Sequence, residues 1–97
     1  MSVISVRTLR EYWQAHPETA ESLQVWYHIV KAASWSNSAE LKLQFGSASI
    51  INSERVVFNI RGNDHRLVVR VNYERGTVFV RFIGTHDEYD RVDVEKV

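Results

Sequence analysis

Val56-Val57-Phe58-Asn59-Ile60-Arg61-Gly62-Asn63-Asp64-His65-Arg66-Leu67-Val68-Val69-Arg70-Val71-Asn72-Tyr73, continued after Glu74-Arg75-Gly76-Thr77 by Val78-Phe79-Val80-Arg81-Phe82-Ile83-Gly84, decides the fold of this chain. Side chains of a strand alternate between two faces, so each face of the three β-rich runs can be read separately. Val56, Phe58 and Ile60, then Leu67, Val69, Val71 and Tyr73, then Val78, Val80 and Phe82 share one oily face. The other face carries Asn59, Arg61, Arg66, Arg70, Asn72 and Arg81 among Val57, Val68, Phe79 and Ile83. A slip of one residue would drive arginines into the core, where an unpaired guanidinium costs several kcal/mol and does not neutralise. Gly62-Asn63-Asp64 and Glu74-Arg75-Gly76 separate the runs with residues that tolerate positive φ, so two hairpins in a meander are expected.

Upstream, Val3-Ile4-Ser5-Val6 reads as an opening strand, and Thr8-Leu9-Arg10-Glu11 has capping-box spacing. Leu9, Tyr12, Trp13 and His16 then form one helical stripe, which Pro17 ends. A second helix is expected over residues 18–33, with Leu23, Trp26, Tyr27 and Val30 inward. A short third helix capped by Asn37 or Ser38 should run to Phe45, with Trp35 anchoring the loop before it. The order β-α-α-(α)-β-β-β predicts an α+β fold, a small antiparallel sheet with helices packed on one face and the arginine face left open.

Composition narrows the chemistry. With 97 residues and 44% hydrophobic content, residues 1–97 read as a single domain with one modest core. The absence of cysteine removes thiol nucleophiles, disulfides and cysteine zinc sites, and fits a cytoplasmic protein. No run approaches the roughly 18 apolar residues of a membrane span, and no apolar signal core is seen, so no membrane partner is expected. Formal charge sums to zero, yet Arg55, Arg61, Arg66, Arg70, Arg75 and Arg81 meet only Asp64 and Glu74 within residues 55–81, while an acidic excess closes the chain.

Four histidines are candidates for proton transfer near neutral pH. His16 sits at a helix end, His28 on a helix flank and His65 in a hairpin turn, all expected to be structural or solvated. His86 follows the third strand at the mouth of the arginine face, with Tyr89 one helical turn on. The histidines lack metal-ligand spacing, and there is no glycine-rich phosphate loop or Gly-x-Ser-x-Gly elbow. Arginines, an imidazole and a tyrosine do suit RNA cleavage by the 2′-hydroxyl, which needs a base, an acid and donors to the phosphate oxygens.

Val57-Phe58-Asn59-Ile60, Gly62-Asn63, Arg66-Leu67-Val68-Val69, Asn72-Tyr73 and Arg81-Phe82-Ile83-Gly84-Thr85-His86-Asp87-Glu88-Tyr89-Asp90 resemble the HigB-type toxins of bacterial type II toxin–antitoxin systems, a branch of the RelE/ParE superfamily. The resemblance extends to Tyr12-Trp13-x-x-His16-Pro17 and Trp26-Tyr27. It implies a RelE-like toxin domain that acts as an endoribonuclease (an mRNA interferase) on messages engaged with the ribosome, with no metal or other cofactor. It also implies a HigA-like helix-turn-helix antitoxin, and operator DNA reached only through the toxin–antitoxin complex. His86, Arg66, Arg81 and Tyr89 are the implied catalytic set. Asn59 and Asn63, together with Arg61 and Arg70 of the arginine face, are the RNA-binding candidates. Two departures stand out: Arg61 replaces the first glycine of the usual Gly-Gly-Asn, and the strand lysines of RelE itself are absent. A ParE-like topoisomerase-binding toxin, or a catalytically weak antitoxin-binding module, is the alternative.

Overall fold

The computed structural model describes all residues 1–97. Strand β1 (Ser2–Ile4) leads into helix α1 (Val6–Ala15). A 3-10 turn (Pro17–Thr19), α2 (Ala20–Ala32) and α3 (Ser38–Gln44) follow. Then come β2 (Ser49–Ile50), β3 (Arg55–Ile60), β4 (His65–Asn72), β5 (Thr77–Thr85) and the one-turn helix α4 (His86–Tyr89). The sheet order is β1-β5-β4-β3-β2. The three long strands form the expected antiparallel meander, while β1 joins β5 in parallel and makes the sheet mixed. No helix is long and apolar enough to cross a membrane.

The oily face is covered as its residues require. Leu9, Leu23, Trp26, Val30 and Leu41 from the helices are buried with Val56, Phe58, Ile60, Leu67, Val69, Val71, Val78 and Val80 from the sheet. Phe58 lies edge-on to both Trp26 and Phe45, with ring centroids 5.4 and 4.9 Å apart, the geometry that ring quadrupoles favour. Trp35 is buried and its indole N–H donates to Gln44 at 2.9 Å, which pins the loop before α3. Asn37 caps α3 by accepting from the Glu40 amide at 3.0 Å.

Four expectations are corrected. The helix start at Thr8 is not used: α1 begins at Val6 behind a left-handed Ser5 (φ 74°), and Glu11 instead pairs with Arg7 at 2.8 Å. Phe82 is not on the core face. A bulge between Val68 and Val69 pairs Val69 with Val80 but Val68 with Phe82, so the alternation of β5 switches at Arg81. Beyond the bulge Ile83 packs on the core, and Phe82 and Gly84 join the outer face. His65 is the first residue of β4, and it is buried rather than lying in the turn.

The fourth correction concerns the arginine face. Its rows across the strands are Arg55/Arg70/Phe79, Val57/Val68/Phe82 and Asn59/Arg66/Gly84. The middle row is apolar, and Val57 and Val68 are buried. The chain leaves the sheet beside the third row, and Val97 accepts from Arg55 Nε at 3.2 Å in the first, so the C-terminal segment spans the row between. The outer face is partly exposed at its ends and covered at its middle.

At the β3–β4 turn, Arg61 and Gly62 both take positive φ, 52° and 66°. Only glycine adopts that region without strain, at about 1–2 kcal/mol for other residues. The exposed Arg61–Asp64 pair at 3.6 Å returns at most about 0.5 kcal/mol. After the extra flexibility of glycine in the unfolded chain is subtracted, Arg61→Gly should stabilise the protein by about 0.5 kcal/mol. The corresponding rise in melting temperature, about 2–4 °C, is measurable by calorimetry.

Candidate active site

The Gly84-to-Asp90 run is a local device that turns the chain off the sheet. The Thr85 hydroxyl accepts from the Glu88 amide at 3.2 Å, and Glu88 accepts from the Thr85 amide at 2.8 Å. This reciprocal capping box nucleates a turn too short to form unaided. A Cβ on Gly84 would sit 2.6 Å from Phe82 Cζ and 3.2 Å from Glu88 Cβ, so the bare backbone lets α4 fold back tightly. The His86 amide donates to the Asp64 carbonyl at 3.0 Å and fastens α4 to the β3–β4 turn. The capping bonds hold the Glu88 carboxyl below the usual range, with His16 and Arg91 adding to the effect.

Docking α4 there brings Tyr89 to Arg66, with His86 on the same helical turn. Arg66 faces Gly84 across the strands, its Nη1 donates to the Asn63 carbonyl at 3.0 Å, and its guanidinium lies 5.9 Å from the Tyr89 ring centroid. His86 is half exposed, with Nδ1 3.1 Å from Asp90 Oδ2. Asn63 belongs to the same corner through its carbonyl. Asn59 is the cross-strand partner of Arg66, but its amide turns toward the Ser47 carbonyl. Asn59 and Arg61 line a separate groove of about 340 Å³ with Trp26, Phe45 and Phe58.

Ion pairing sorts the arginines further. Arg55 and Arg70 share Glu54, Arg70 Nε at 3.1 Å, and Arg61 is held by Asp64. Arg70 stands four residues from Arg66, about 13 Å along the strand. Arg66 and Arg81 have no carboxylate within 4 Å and remain available to an anion, as does Arg75 at the far turn. Arg81 is exposed at the bulge, on the approach to Gly84 but outside the His86–Arg66–Tyr89 group.

His86, Asp87 and Asp90 place one donor atom each within 4.8 Å of one another, a grouping that histidine spacing alone did not foresee. All three are exposed, and the His86–Asp90 contact already employs two of them.

A second polar cluster, missed from the sequence, lies where α1 meets the start of β4. Tyr12 Oη and His65 Nδ1 share a 2.7 Å hydrogen bond, and the Tyr12 ring stacks on His16 at 4.3 Å. His16 and His65 meet edge to face at 5.6 Å. Glu18 Oε2 is 3.9 Å from both His16 Nδ1 and His65 Nε2. Burial, with the Glu88 and Glu18 charges, pushes the Tyr12 hydroxyl up to about 12. Burial lowers His65, opposed in part by Glu18. The signal was present in the alternation: His65 shares the phase of Leu67, Val69 and Val71, which places it on the core face.

Comparison with known proteins gives the class first. Residues 19–92 match a family model described as the RelE-like toxic component of a toxin–antitoxin system. That model is HigB toxin, and the chain belongs to this family. It is 26% identical over 94 residues to an mRNA interferase HigB of Escherichia coli O6:H1, covering 95% of this chain and 91% of that one. It is also 26% identical over 92 residues to the mRNA interferase toxin HigB of Escherichia coli K12, covering 93% and 88%.

The buried His65 gives stability a pH dependence of known sign. Its folded-state pKa lies below the 6.5 of the free side chain, so the unfolded chain binds the extra proton. The contribution is intact above pH 6.5 and is lost as pH falls toward the folded value. In urea titrations at pH 5, 6 and 7, His65→Gln should flatten this slope. At pH 7 the same variant should cost about 1–3 kcal/mol by disturbing the Tyr12 bond.

Proposed function

We propose that this HigB family member is an mRNA interferase that cuts messages in association with the ribosome by metal-independent attack of the 2′-hydroxyl. The observation that carries the reading is an unneutralised guanidinium, Arg66, 5.9 Å from the ring of Tyr89 on the one-turn helix that also bears the half-exposed imidazole of His86. The printed activity of the relatives supports it. Arg66 suits a phosphate oxygen, since its planar fork gives paired charge-assisted bonds where charge develops. His86, oriented by Asp90, suits proton transfer, and Tyr89 offers a ring on which a base can stack. Arg81 lies where an extended strand could pass, and Asn63 holds Arg66 in place. A HigA-like antitoxin would restrain the toxin and carry the complex to operator DNA, in the cytoplasm where messages are translated.

Expression of His86→Ala or Arg66→Ala should relieve growth arrest at unchanged protein level and unchanged circular dichroism. Full toxicity of both would sink these assignments. In vitro, a 2′-deoxy nucleotide at the cut position should abolish cleavage, and a chelator selective for transition metals, at constant free Mg²⁺ so that the ribosomes stay assembled, should leave the rate unaltered. A rate that falls with chelation would instead give His86, Asp87 and Asp90 a metal-binding role. Message-end mapping after brief induction separates this reading from topoisomerase poisoning, which would leave messages whole and break DNA.

A further inference from the structure

The registers of the sheet leave one stretch of strand edge uncovered. The Arg55 carbonyl accepts from Ile51 on the β2 side of β3, and the Glu54 carbonyl accepts from Val71 on the β4 side. Main-chain groups of successive residues alternate between the two sides of a strand, so those of Val57 and Asn59 face the β2 side. Val57 meets Ser49 there, but Ser49 is the first residue of β2. Asn59 therefore has no strand opposite its main-chain N–H and C=O, and only its side-chain amide reaches the Ser47 carbonyl, at 3.4 Å. An open main-chain edge of this kind is a template for a further strand.

The groove of about 340 Å³ opens at the same place, lined by α2, by Phe45 and Ser47 ahead of β2, and by β3 from Phe58 onward. Val25 on its α2 side is apolar yet 51% exposed, and Ile29, one helical turn on, is half-buried. Trp26 also lines the groove, is buried, and has no acceptor for its indole N–H. A buried donor without a partner is a cost that an incoming carbonyl would remove. Two charged residues complete the lining. Glu21 has no cation within 4 Å, and Arg61 stands at a positive φ of 52° with only the exposed Asp64 as its partner, at 3.6 Å.

We propose that this groove, with the free edge of β3 at Asn59, is the docking site of an extended segment of the antitoxin. The main chain of the segment pairs with Asn59 as a short added strand, and a large apolar side chain enters the groove beside Val25 and Ile29. A basic side chain of the segment meets Glu21 and an acidic one meets Arg61. The proposal rests on the toxin–antitoxin reading above and is independent of the cleavage chemistry. Apolar walls, an unpaired main-chain edge and charges of both signs suit a peptide. A phosphate chain would find no use for the edge and would be repelled by Glu21. Asn59 and Arg61, expected from the sequence to bind RNA, serve the antitoxin in this arrangement.

The test uses the full chain and its cognate antitoxin, purified separately, with amide exchange and the Trp26 indole signal followed by NMR and affinity by calorimetry. The Asn59 amide should exchange fast in the free chain, and the antitoxin should slow it at least about 10-fold and shift the Trp26 signal. Val25→Glu, at an exposed position of α2, should weaken binding at least about 30-fold and leave RNA cleavage unchanged. Leu43→Glu, at an exposed position of α3 outside the groove, should leave the affinity unaltered. If Val25→Glu does not fold, the exchange data on the wild type decide alone: protection of Asn59 supports the proposal and its absence overturns it. Full affinity in a folded Val25→Glu overturns it. Protection of Asn59 by a rise in toxin concentration alone, or by a short RNA, gives the groove to a second copy or to RNA and overturns it as well. A chain that docks the antitoxin here and cuts no RNA ends the interferase reading and keeps this one.

Discussion

The structure depends on the pairing of β4 with β5 and on the one bulge within it. β4 is the central strand, buried on its core face by Leu67, Val69 and Val71 and at the middle of its outer face by Val68. Its arginines must therefore emerge at the ends, because an unpaired guanidinium cannot be left inside. The bulge at Val68/Val69 lets β5 satisfy this twice. Before it, Val78 and Val80 face the helices; after it, Ile83 takes over that task and Gly84 is delivered to the outer face opposite Arg66. Without the extra residue, α4 would leave the sheet from the wrong side.

From that geometry the candidate site is a corner where three pieces of chain converge. The β3–β4 turn supplies Asn63 and Asp64, β4 supplies Arg66 and, on its other face, His65, and α4 supplies His86 and Tyr89. The main-chain bond from His86 to Asp64 and the side-chain-to-backbone Thr85–Glu88 box hold the pieces in register. Side chains on such supports lose little freedom when a substrate arrives, which favours reactions whose cost is mainly orientation. The neighbouring carboxylates divide the arginines into those already neutralised and those open to phosphate. A chain of zero formal charge can thus still present a locally cationic surface.

The covering of the outer face by the C-terminal segment adds a further constraint. The acidic excess of residues 87–97 includes the partners of His86 and Lys96, while the bond to Arg55 comes from the Val97 carbonyl rather than from one of the acidic side chains. The tail is therefore part of the second layer on the sheet.

Several features were legible in the sequence because they are local. Alternation placed the strands and the core face up to residue 80, turn residues located both hairpins, Asn37 announced α3, and the Gly62-Asn63 and Thr85-to-Asp90 pieces are the ones that meet at the β3–β4 turn. Other features depended on partners distant in the chain. Phe82 was assigned to the wrong face because one inserted residue shifts a period of two, and nothing within β5 announces that insertion. The middle of the arginine face was read as open because the residues that cover it return from the far end of the chain. His16 and His65 looked unrelated at 49 positions apart, and only the packing of α1 against the end of β4 brings their rings together. The sequence by itself determined which residues must be buried and which must stay wet, since hydration energies belong to each side chain. Which polar groups would meet was decided by the tertiary structure, since contact is a property of pairs.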